Sequence, residues 1–335
     1  MINKTEQEII ERWDKNIPLM VSITCVAFNH EYYIEKALDS FLMQETNFSF
    51  EILIHDDVST DRTVDIIKEY ERKFPNIVKP IYQSINQFSQ GVNPMFFLFP
   101  KVKGKYMAFC DGDDYWTDTQ KLKIQVEEME KSPDINMSFH PTYKLINGKI
   151  DGILSKQADK NRVFTTHEIT LGGGEFCPTV SLMFRSRVIS DFPDWFAKMI
   201  PGDYPMQIMG SVKAGALYIN RCMSVYRMGE VGAWSSISKD NSKKQKEHLL
   251  SFHSMLNKMN EFLDNSLKHE IETLIYDSSL AFIKRRAIDI EVRDEVFNIY
   301  RDIFSKKQKL LWYLLYRNQD LHDGLSKIKY LALHR

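Results

Sequence analysis

The sequence predicts an α/β fold: a mostly parallel central sheet flanked by helices, with a helical extension at its C-terminal end. Three observations predict it. Short β-rich apolar runs alternate with stretches of helical spacing over the first 131 residues of 335. Two of those runs stop abruptly at carboxylates, Ile54-His55-Asp56-Asp57 and Phe109-Cys110-Asp111-Gly112-Asp113-Asp114. Beyond about Asn241 the chain turns polar and keeps helical periodicity. Strands alternating with helices imply parallel pairing, with helices covering both faces.

Each element has its own signal. Val21 to Phe28 is a β-rich apolar run and the expected first strand. From Glu31 to Gln44, Ile34, Ala37, Leu38, Phe41 and Leu42 form one helical face. Phe50 to His55 is the second strand. From Arg62 to Phe74, Thr63, Ile66, Ile67, Tyr70 and Phe74 line a second helix. Ser59 or Thr60 suits its cap, and Asp61 suits the positive end of its dipole. Ile77 to Tyr82 and Tyr106 to Cys110 are the third and fourth strands. Thr119 to Lys131 is a helix with Leu122, Val126 and Met129 inward. From Ile135 to Arg227 the pattern is mixed. Short β-like runs at 137–140, 180–184, 216–219 and 224–227 surround a helix from Tyr204 to Ala214 and Gly172-Gly173-Gly174, expected to be a flexible turn. Gly229 to Asp240 reads as a mobile loop. In the last region Leu249, Phe252, Leu256, Met259 and Leu263 keep helical spacing, as do Leu267, Ile271, Leu274 and Ser278.

Composition narrows the function classes. Hydrophobic residues at 43% are ample for a core, and a net charge of −1 gives no case for nucleic acid as a partner. Cys25, Cys110, Cys177 and Cys222 are scattered, with no C-x-x-C pair, and read as reduced, mostly buried thiols. Met1 to Lys15 lacks the apolar centre of a signal peptide. No stretch approaches the ~18–20 apolar residues that span a bilayer. The expected location is cytoplasmic, with a peripheral position on the inner face of the cell membrane left open.

In parallel sheets ligands bind beyond the carboxyl ends of the strands. Asn29, Asp56, Asp57, Asp111 and Asp113 all fall at that edge. Clustered carboxylates repel one another and are costly to desolvate, so they call for a cation. Mg²⁺ and Mn²⁺ prefer oxygen ligands and bridge carboxylates to phosphates. A lone D-x-D is more often an acidic turn facing solvent; the second acidic strand end changes the balance. No G-x-x-x-x-G-K-[ST] occurs, and no G-x-G-x-x-G follows the first strand, which argues against a P-loop NTPase and a dinucleotide-binding dehydrogenase.

These residues resemble family 2 glycosyltransferases of the GT-A fold. Val21 to His30 is similar to the family's opening strand, which ends in Asn. Glu51 to Thr63, with Asp56-Asp57-Val58-Ser59-Thr60-Asp61-Arg62-Thr63, resembles its "DDxSTDxT" segment. Gly104-Lys105-Tyr106 leading into Asp111-Gly112-Asp113-Asp114-Tyr115-Trp116 resembles "GkYia…D-x-D-D-x-W", and Lys121, Leu122 and Gln125 fall at "KL..Q". The resemblance is clear over residues 20–130, weaker over 175–236 and absent beyond about 240. It implies a GT-A (Rossmann-like) nucleotide-diphospho-sugar transferase domain over 1–240, with a donor half at about 18–132 and an acceptor half at 133–240. Residues 241–335 form the helical region. The implied activity is a metal-dependent, inverting transfer from a nucleotide-diphosphate sugar to a glycan or lipid-linked acceptor, of the bacterial surface-polysaccharide type. UDP-sugar is the commonest donor in the family. A non-catalytic nucleotide-sugar-binding or scaffold protein stays open. So does a sugar nucleotidyltransferase, which would normally show a basic Gly-rich phosphate loop near the first strand.

By this resemblance Asp57 hydrogen-bonds the base, helped by Asp56, Ala27 and Asn29. Asp111 faces the ribose or the metal-bound diphosphate, and Asp113 with Asp111 ligates Mn²⁺ or Mg²⁺. For each, a structural cap at a strand end is the plainer reading. Inversion needs a base opposite the leaving diphosphate. The resemblance puts it at Asp203 in Pro201-Gly202-Asp203-Tyr204-Pro205-Met206, a residue also suited to N-cap the next helix. Arg227, in Ser224-Val225-Tyr226-Arg227, pairs with the diphosphate or else makes a surface salt bridge. Many members carry a metal-binding His two residues after that Arg. This chain has Gly229 there, so the metal has fewer protein ligands or binds with help from the nucleotide. His248 and His253 read as surface residues. Gly229 to Ser236, with Trp234, is expected to close over the donor. Trp116, Thr179 and Glu175-Phe176-Cys177-Pro178 are expected near the acceptor, with core packing as the alternative for Trp116 and Trp234.

The tail from Ser305 to Arg335 carries seven Lys or Arg against Asp320 and Asp323, a net of +5. A basic amphipathic helix with Trp312 and Tyr313 suits a membrane interface. A helix docked on the catalytic domain, or on a second copy in a homodimer, is the other reading.

Overall fold

The computed structural model describes residues 3–199, 202–229 and 241–317. The chain divides into two compact units, Met1–Glu230 and Val231–Arg335.

The first unit opens with α1 (Glu6–Ile10), held by a Thr5–Glu8 capping box. There follow β1 (Val21–Ala27), α2 (Ile34–Leu42), β2 (Phe50–Asp56), α3 (Thr63–Lys73) and β3 (Val78–Tyr82). β1 and β2 are buried almost throughout, so their sequences are near-continuous apolar runs. Short 3-10 turns between 88 and 101 lead to β4 (Tyr106–Phe109), the two-residue β5 (Tyr115–Trp116) and α4 (Lys121–Glu130). The second half holds β6 (Met137–Phe139), β7 (Thr142–Ile146), β8 (Lys149–Leu154), β9 (Arg162–Phe164), α5 (Thr166–Gly172), β10 (Met183–Arg185), α6 (Asp203–Ser211), β11 (Ala216–Tyr218) and β12 (Ser224–Met228).

An eight-stranded sheet runs in the order β3-β2-β1-β4-β10-β6-β11-β9, and a four-stranded sheet in the order β5-β12-β7-β8. The β3-β2-β1-β4 half is parallel throughout. Beyond it the sheet is mixed, because β10 runs antiparallel to both β4 and β6. Register brings the strand ends level: Ala27 pairs with Asp56, and Asp56 with Tyr82. Gly104 is obligatory just before β4, since a Cβ there would lie 2.5 Å from the Ser22 backbone nitrogen.

Several expectations change in detail. The β7–β8 hairpin is new, and β8 is almost wholly exposed. Thr179–Ser181 is a 3-10 turn, so the strand expected from Val180 begins only at Met183. The triple glycine is a defined helix stop: Gly173 caps α5 at φ +72°. Ser59 and Thr60 do not cap α3. Its N-cap is Arg62, which makes no side-chain cap bond, while Asp61, one residue earlier, accepts from Thr63 N at 2.9 Å. The four cysteines are free thiols, three of them buried.

The second unit contains α7 (Ser242–Phe262), α8 (Lys268–Lys284), α9 (Ile290–Ile299) and α10 (Lys306–Leu311). Phe282, Ile283, Val296, Phe297, Phe304 and Trp312 pack in its core. Leu310, Tyr313 and Leu314 are exposed, with Lys306 and Lys309 beside them in sequence. Among the described residues no helix is long and apolar enough to cross a membrane. The tail beyond Arg317 lies outside the described residues.

His253, expected on the surface, is only 2% exposed. Its ring nitrogens bridge the Tyr300 hydroxyl at 2.6 Å and the Ser278 hydroxyl at 2.7 Å. Burial pushes its pKa down to about 4. Because the folded value is depressed, the unfolded chain takes up the proton first as pH falls. The ring's contribution is therefore whole above about pH 6.5 and is lost toward pH 4. The stability gap between wild type and His253→Gln should narrow over that window in melts at stepped pH. A constant gap would show that the ring contributes nothing through its neutral state.

Candidate active site

The loops after β1 and β2 are built as one piece. Asn29 adopts φ +55°, a left-handed conformation that Asn tolerates better than most residues. Its backbone N–H donates to Ser59 Oγ at 3.0 Å, and its side-chain oxygen accepts from Thr60 N at 2.8 Å. His30 N donates to Thr63 Oγ1 at 2.8 Å, and Glu31 N to Asp61 Oδ2 at 3.0 Å. The "STDxT" residues thus clamp the two strand ends together.

Within that clamp Asp57 is buried, and its N–H donates to the Ala27 carbonyl at 3.0 Å. Its carboxylate accepts from Gln87 N at 2.7 Å and Phe88 N at 3.0 Å. Asn86 Nδ2 donates to its carbonyl at 2.8 Å. Sequence reading missed this 86–88 loop, which lacks any motif and acts mainly through its main chain. Val58, next in line, has φ +66°, a strained value for a β-branched residue. Asp56 Oδ2 accepts from Ser59 N at 3.1 Å, while its buried Oδ1 has no hydrogen-bond partner. Both acids carry structural bonds, yet a carboxylate offers about four acceptor positions, so each retains capacity for a ligand.

The D-x-D turn leaves β4 under similar control. Cys110 N donates to the Thr24 carbonyl at 3.1 Å, Gly112 N to the Val26 carbonyl at 2.9 Å, and Asp114 N to the Asp111 carbonyl at 3.1 Å. Gly112 lets the turn pack closely: a Cβ would meet His30 Nδ1 at 2.8 Å and Ile34 Cδ1 at 2.9 Å, so those side chains would have to shift. Burial, then the charges of Asp113 and Asp203, push the Asp111 carboxyl up to about 7. Burial and the Asp113 charge hold Asp114 well above the carboxylate range as well. Asp114 Oδ1 accepts the Arg227 N–H at 2.8 Å, which ties β12 to the turn.

Such a cluster fits a hard divalent cation, since its donors are all carboxylate oxygens and their repulsion is unrelieved. Among the described residues no group of three His, Cys, Asp or Glu could hold a metal ion alone. An ion bound by Asp113 and Asp111 would need substrate or water oxygens to complete its shell. Gly229, where the family often has His, has φ +77° and adds no ligand.

Asp203 joins this cluster from the far end of the chain's first unit. Gly202, not Asp203, is the N-cap, and Asp203 is the first residue of α6. Its Oδ2 accepts from Thr179 Oγ1 at 2.8 Å and its Oδ1 from Tyr204 N at 2.9 Å. Burial raises its carboxyl above the usual range. Thr179, expected near the acceptor, is thus a partner of the candidate base. Tyr226 was overlooked. Burial, then Asp114, Asp113, Asp203 and Asp111, raise its phenol, so it stays protonated beside all four acids.

The remaining candidates divide. Arg227 makes cation–π contacts to Tyr33 and Tyr115 at 4.8 and 5.3 Å. For Trp116 the core alternative holds and the place near the acceptor does not: it is 1% exposed, packs on Phe41, and donates its indole N–H to the Val180 carbonyl at 3.2 Å. A ring so enclosed supports the cleft and does not face a sugar. Trp234 and the loop expected to close over the donor lie outside the described residues.

The repulsion gives a stability test. Asp111's folded pKa is raised, so its charged form is disfavoured progressively from pH 3.8 up to about 7. In EDTA, Asp111→Asn should melt higher than wild type, with a gain growing over that window to about 1–2 kcal/mol. An unchanged or lower melting temperature at pH 7 would count against the crowding described.

Comparison with known proteins agrees with this geometry. The sequence model for Glycosyl transferase family 2 matches residues 22–189, half of the chain. A Mycobacterium tuberculosis protein is 32% identical over 227 residues, 67% of this chain and 63% of that protein. The chain therefore spans less than two thirds of that relative's length. An Escherichia coli protein named UDP-Glc:alpha-D-GlcNAc-diphosphoundecaprenol beta-1,3-glucosyltransferase is 33% identical over 143 residues, 42% of this chain and 53% of that protein. Among solved structures, Staphylococcus aureus TarS 1–349 with UDP-GlcNAc aligns at TM-score 0.53 and 17% identity, over 84% of this chain and 85% of that one. The Pyrobaculum calidifontis mannosyltransferase with GDP-Man and Mn²⁺ aligns at 0.52 and 13%, over 98% and 87%. At those identities the structures show a shared GT-A fold, and with the sequence match they establish that this chain belongs to glycosyl transferase family 2.

Proposed function

We propose that the chain is an inverting, metal-dependent glycosyltransferase, with Asp203 as general base and a UDP-sugar as donor. The acceptor is a hydroxyl of a glycan or lipid-linked oligosaccharide. One observation carries the reading: Asp203, distant in sequence, acts electrostatically on Asp111 of the D-x-D turn, so candidate base and candidate diphosphate site share one cluster. The UDP-Glc in the name of the E. coli relative supports a uridine donor and a lipid-linked acceptor. The Mn²⁺ bound in the Pyrobaculum structure supports a metal.

The chain's own residues then have distinct tasks. Asp57 and Asp56 hold the base at the clamped strand ends. Asp113 and Asp111 hold Mn²⁺ or Mg²⁺, which supplies positive charge for the departing diphosphate when bound. Asp203 takes the proton from the acceptor hydroxyl as that oxygen attacks the anomeric carbon. Burial makes it a stronger base than an exposed carboxylate. The Thr179 hydroxyl and the Tyr204 N–H fix its two oxygens and leave other lone pairs for the acceptor.

Asp203→Asn should cut transfer by roughly 10²–10⁴-fold with donor affinity kept, as read by turnover and calorimetry. Retained turnover would remove Asp203 from the base role. Thr179→Val should lower kcat by roughly tenfold with little change in donor KM, because the base loses its orientation. The donor test is melting against UDP, GDP, dTDP and CMP, with and without Mn²⁺. One nucleotide at 100 times its Kd should add about 2.7 kcal/mol, should need Mn²⁺, and should fail in Asp113→Ala. No shift with any nucleotide would overturn the donor site.

A further inference from the structure

Two cations sit on the aromatic rings next to the carboxylate cluster, and the transfer steps set out above give a task to neither of them. Arg227 Cζ lies 4.8 Å from the Tyr33 ring centre and 5.3 Å from that of Tyr115. Lys36 Nζ, reaching from α2, lies 3.8 Å from the centre of the same Tyr115 ring. Like charges repel, so two cations sharing one ring is a costly arrangement unless an anion is drawn between or beside them. Lys36 is exposed and has water available, yet it lies over the ring.

The hydrogen bonding of Arg227 points the same way. Its backbone N–H is used by Asp114 at 2.8 Å, and the Asp114 charge also acts on it. Its side-chain Nε is sealed from solvent and has no hydrogen-bond partner. Aromatic rings hold a guanidinium by its faces and leave the N–H donors on its edge unspent. A buried donor without a partner is a group that a ligand oxygen would satisfy.

We propose that Lys36 and Arg227, cradled by Tyr33 and Tyr115, form a phosphate-binding site at the rim of the cleft. The guanidinium presents a fork of donors to phosphate oxygens, and the ammonium adds a compact charge. The assignment deepens the transferase reading and rests on it for which phosphate is bound. Either the donor's diphosphate or a phosphate carried by the acceptor has this chemistry. Lys36 is the new element, since no motif marks its position on α2.

Inorganic pyrophosphate in EDTA is the probe, titrated by calorimetry. Wild type should bind it saturably. Lys36→Gln and Arg227→Gln should each weaken binding roughly tenfold, the loss of one charge-assisted contact. Asp113→Asn removes a repelling charge and should strengthen it. Lys36 is exposed, so Lys36→Gln should keep the wild-type melting temperature and serve as the decisive variant. Absence of binding by wild type, or binding that Lys36→Gln leaves unchanged, overturns the proposal. Repeating the titration with saturating UDP and Mn²⁺ separates the sources. Competition assigns the site to the donor diphosphate; simultaneous binding assigns it to an acceptor phosphate. Pyrophosphate binding that depends on Lys36, in a protein that binds no nucleotide, would sink the donor reading and leave the phosphate site standing.

Discussion

Four carboxylates, Asp111, Asp113, Asp114 and Asp203, have to be kept close enough to act on one another, and their repulsion works against the fold that holds them. Everything around them offsets that repulsion. The D-x-D turn is fastened to β1 by main-chain bonds from Cys110 and Gly112. Glycine at 112 lets the turn press against His30 and Ile34. The Arg227 N–H meets Asp114 from β12, and Thr179 meets Asp203 from the 3-10 turn before β10. A set of groups that would separate in solution is held together by the fold, which is the arrangement the proposed binding of a cation and a phosphate calls on.

The same logic explains how the segments after β4 are tied to the turn that carries Thr179. Trp116 spans them as a buried strut, with its indole N–H on the Val180 carbonyl and its ring on Phe41. Gln125 reaches the Ser181 carbonyl at 2.9 Å, and Lys121 reaches Gln125 at 2.6 Å. Burial drops the Lys121 pKa to about 7, and its ammonium lies 4.2 Å from the Trp116 ring centre. The "KL..Q" residues are thus fasteners between α4 and the turn carrying Thr179.

Legibility in the sequence followed the physics of each feature. β1, β2 and β4 were plain because parallel strands buried on both faces read as continuous apolar runs. The acidic strand ends were plain because charge next to such a run is rare without cause. The β7–β8 hairpin left no such trace: β8 is almost wholly exposed, so no apolar alternation marks it. Trp116 stayed undecided and His253 was misplaced for one reason, since sequence does not report whether a polar tip has found a buried partner. Asp203 was found by resemblance, but its bond to Thr179 joins residues far apart and needed coordinates. Lys36 looked like any polar position on an amphipathic helix.

Asp57 is gripped through the main-chain N–H groups of Gln87 and Phe88, with their side chains taking no part in those bonds. Any residue except proline supplies the same N–H. Substitution at 87 and 88 therefore leaves the grip intact while changing the side chains that border Asp57. On the proposed role of Asp57, the loop is a place where single replacements can alter the surface beside the nucleotide base without dismantling the acid that holds it.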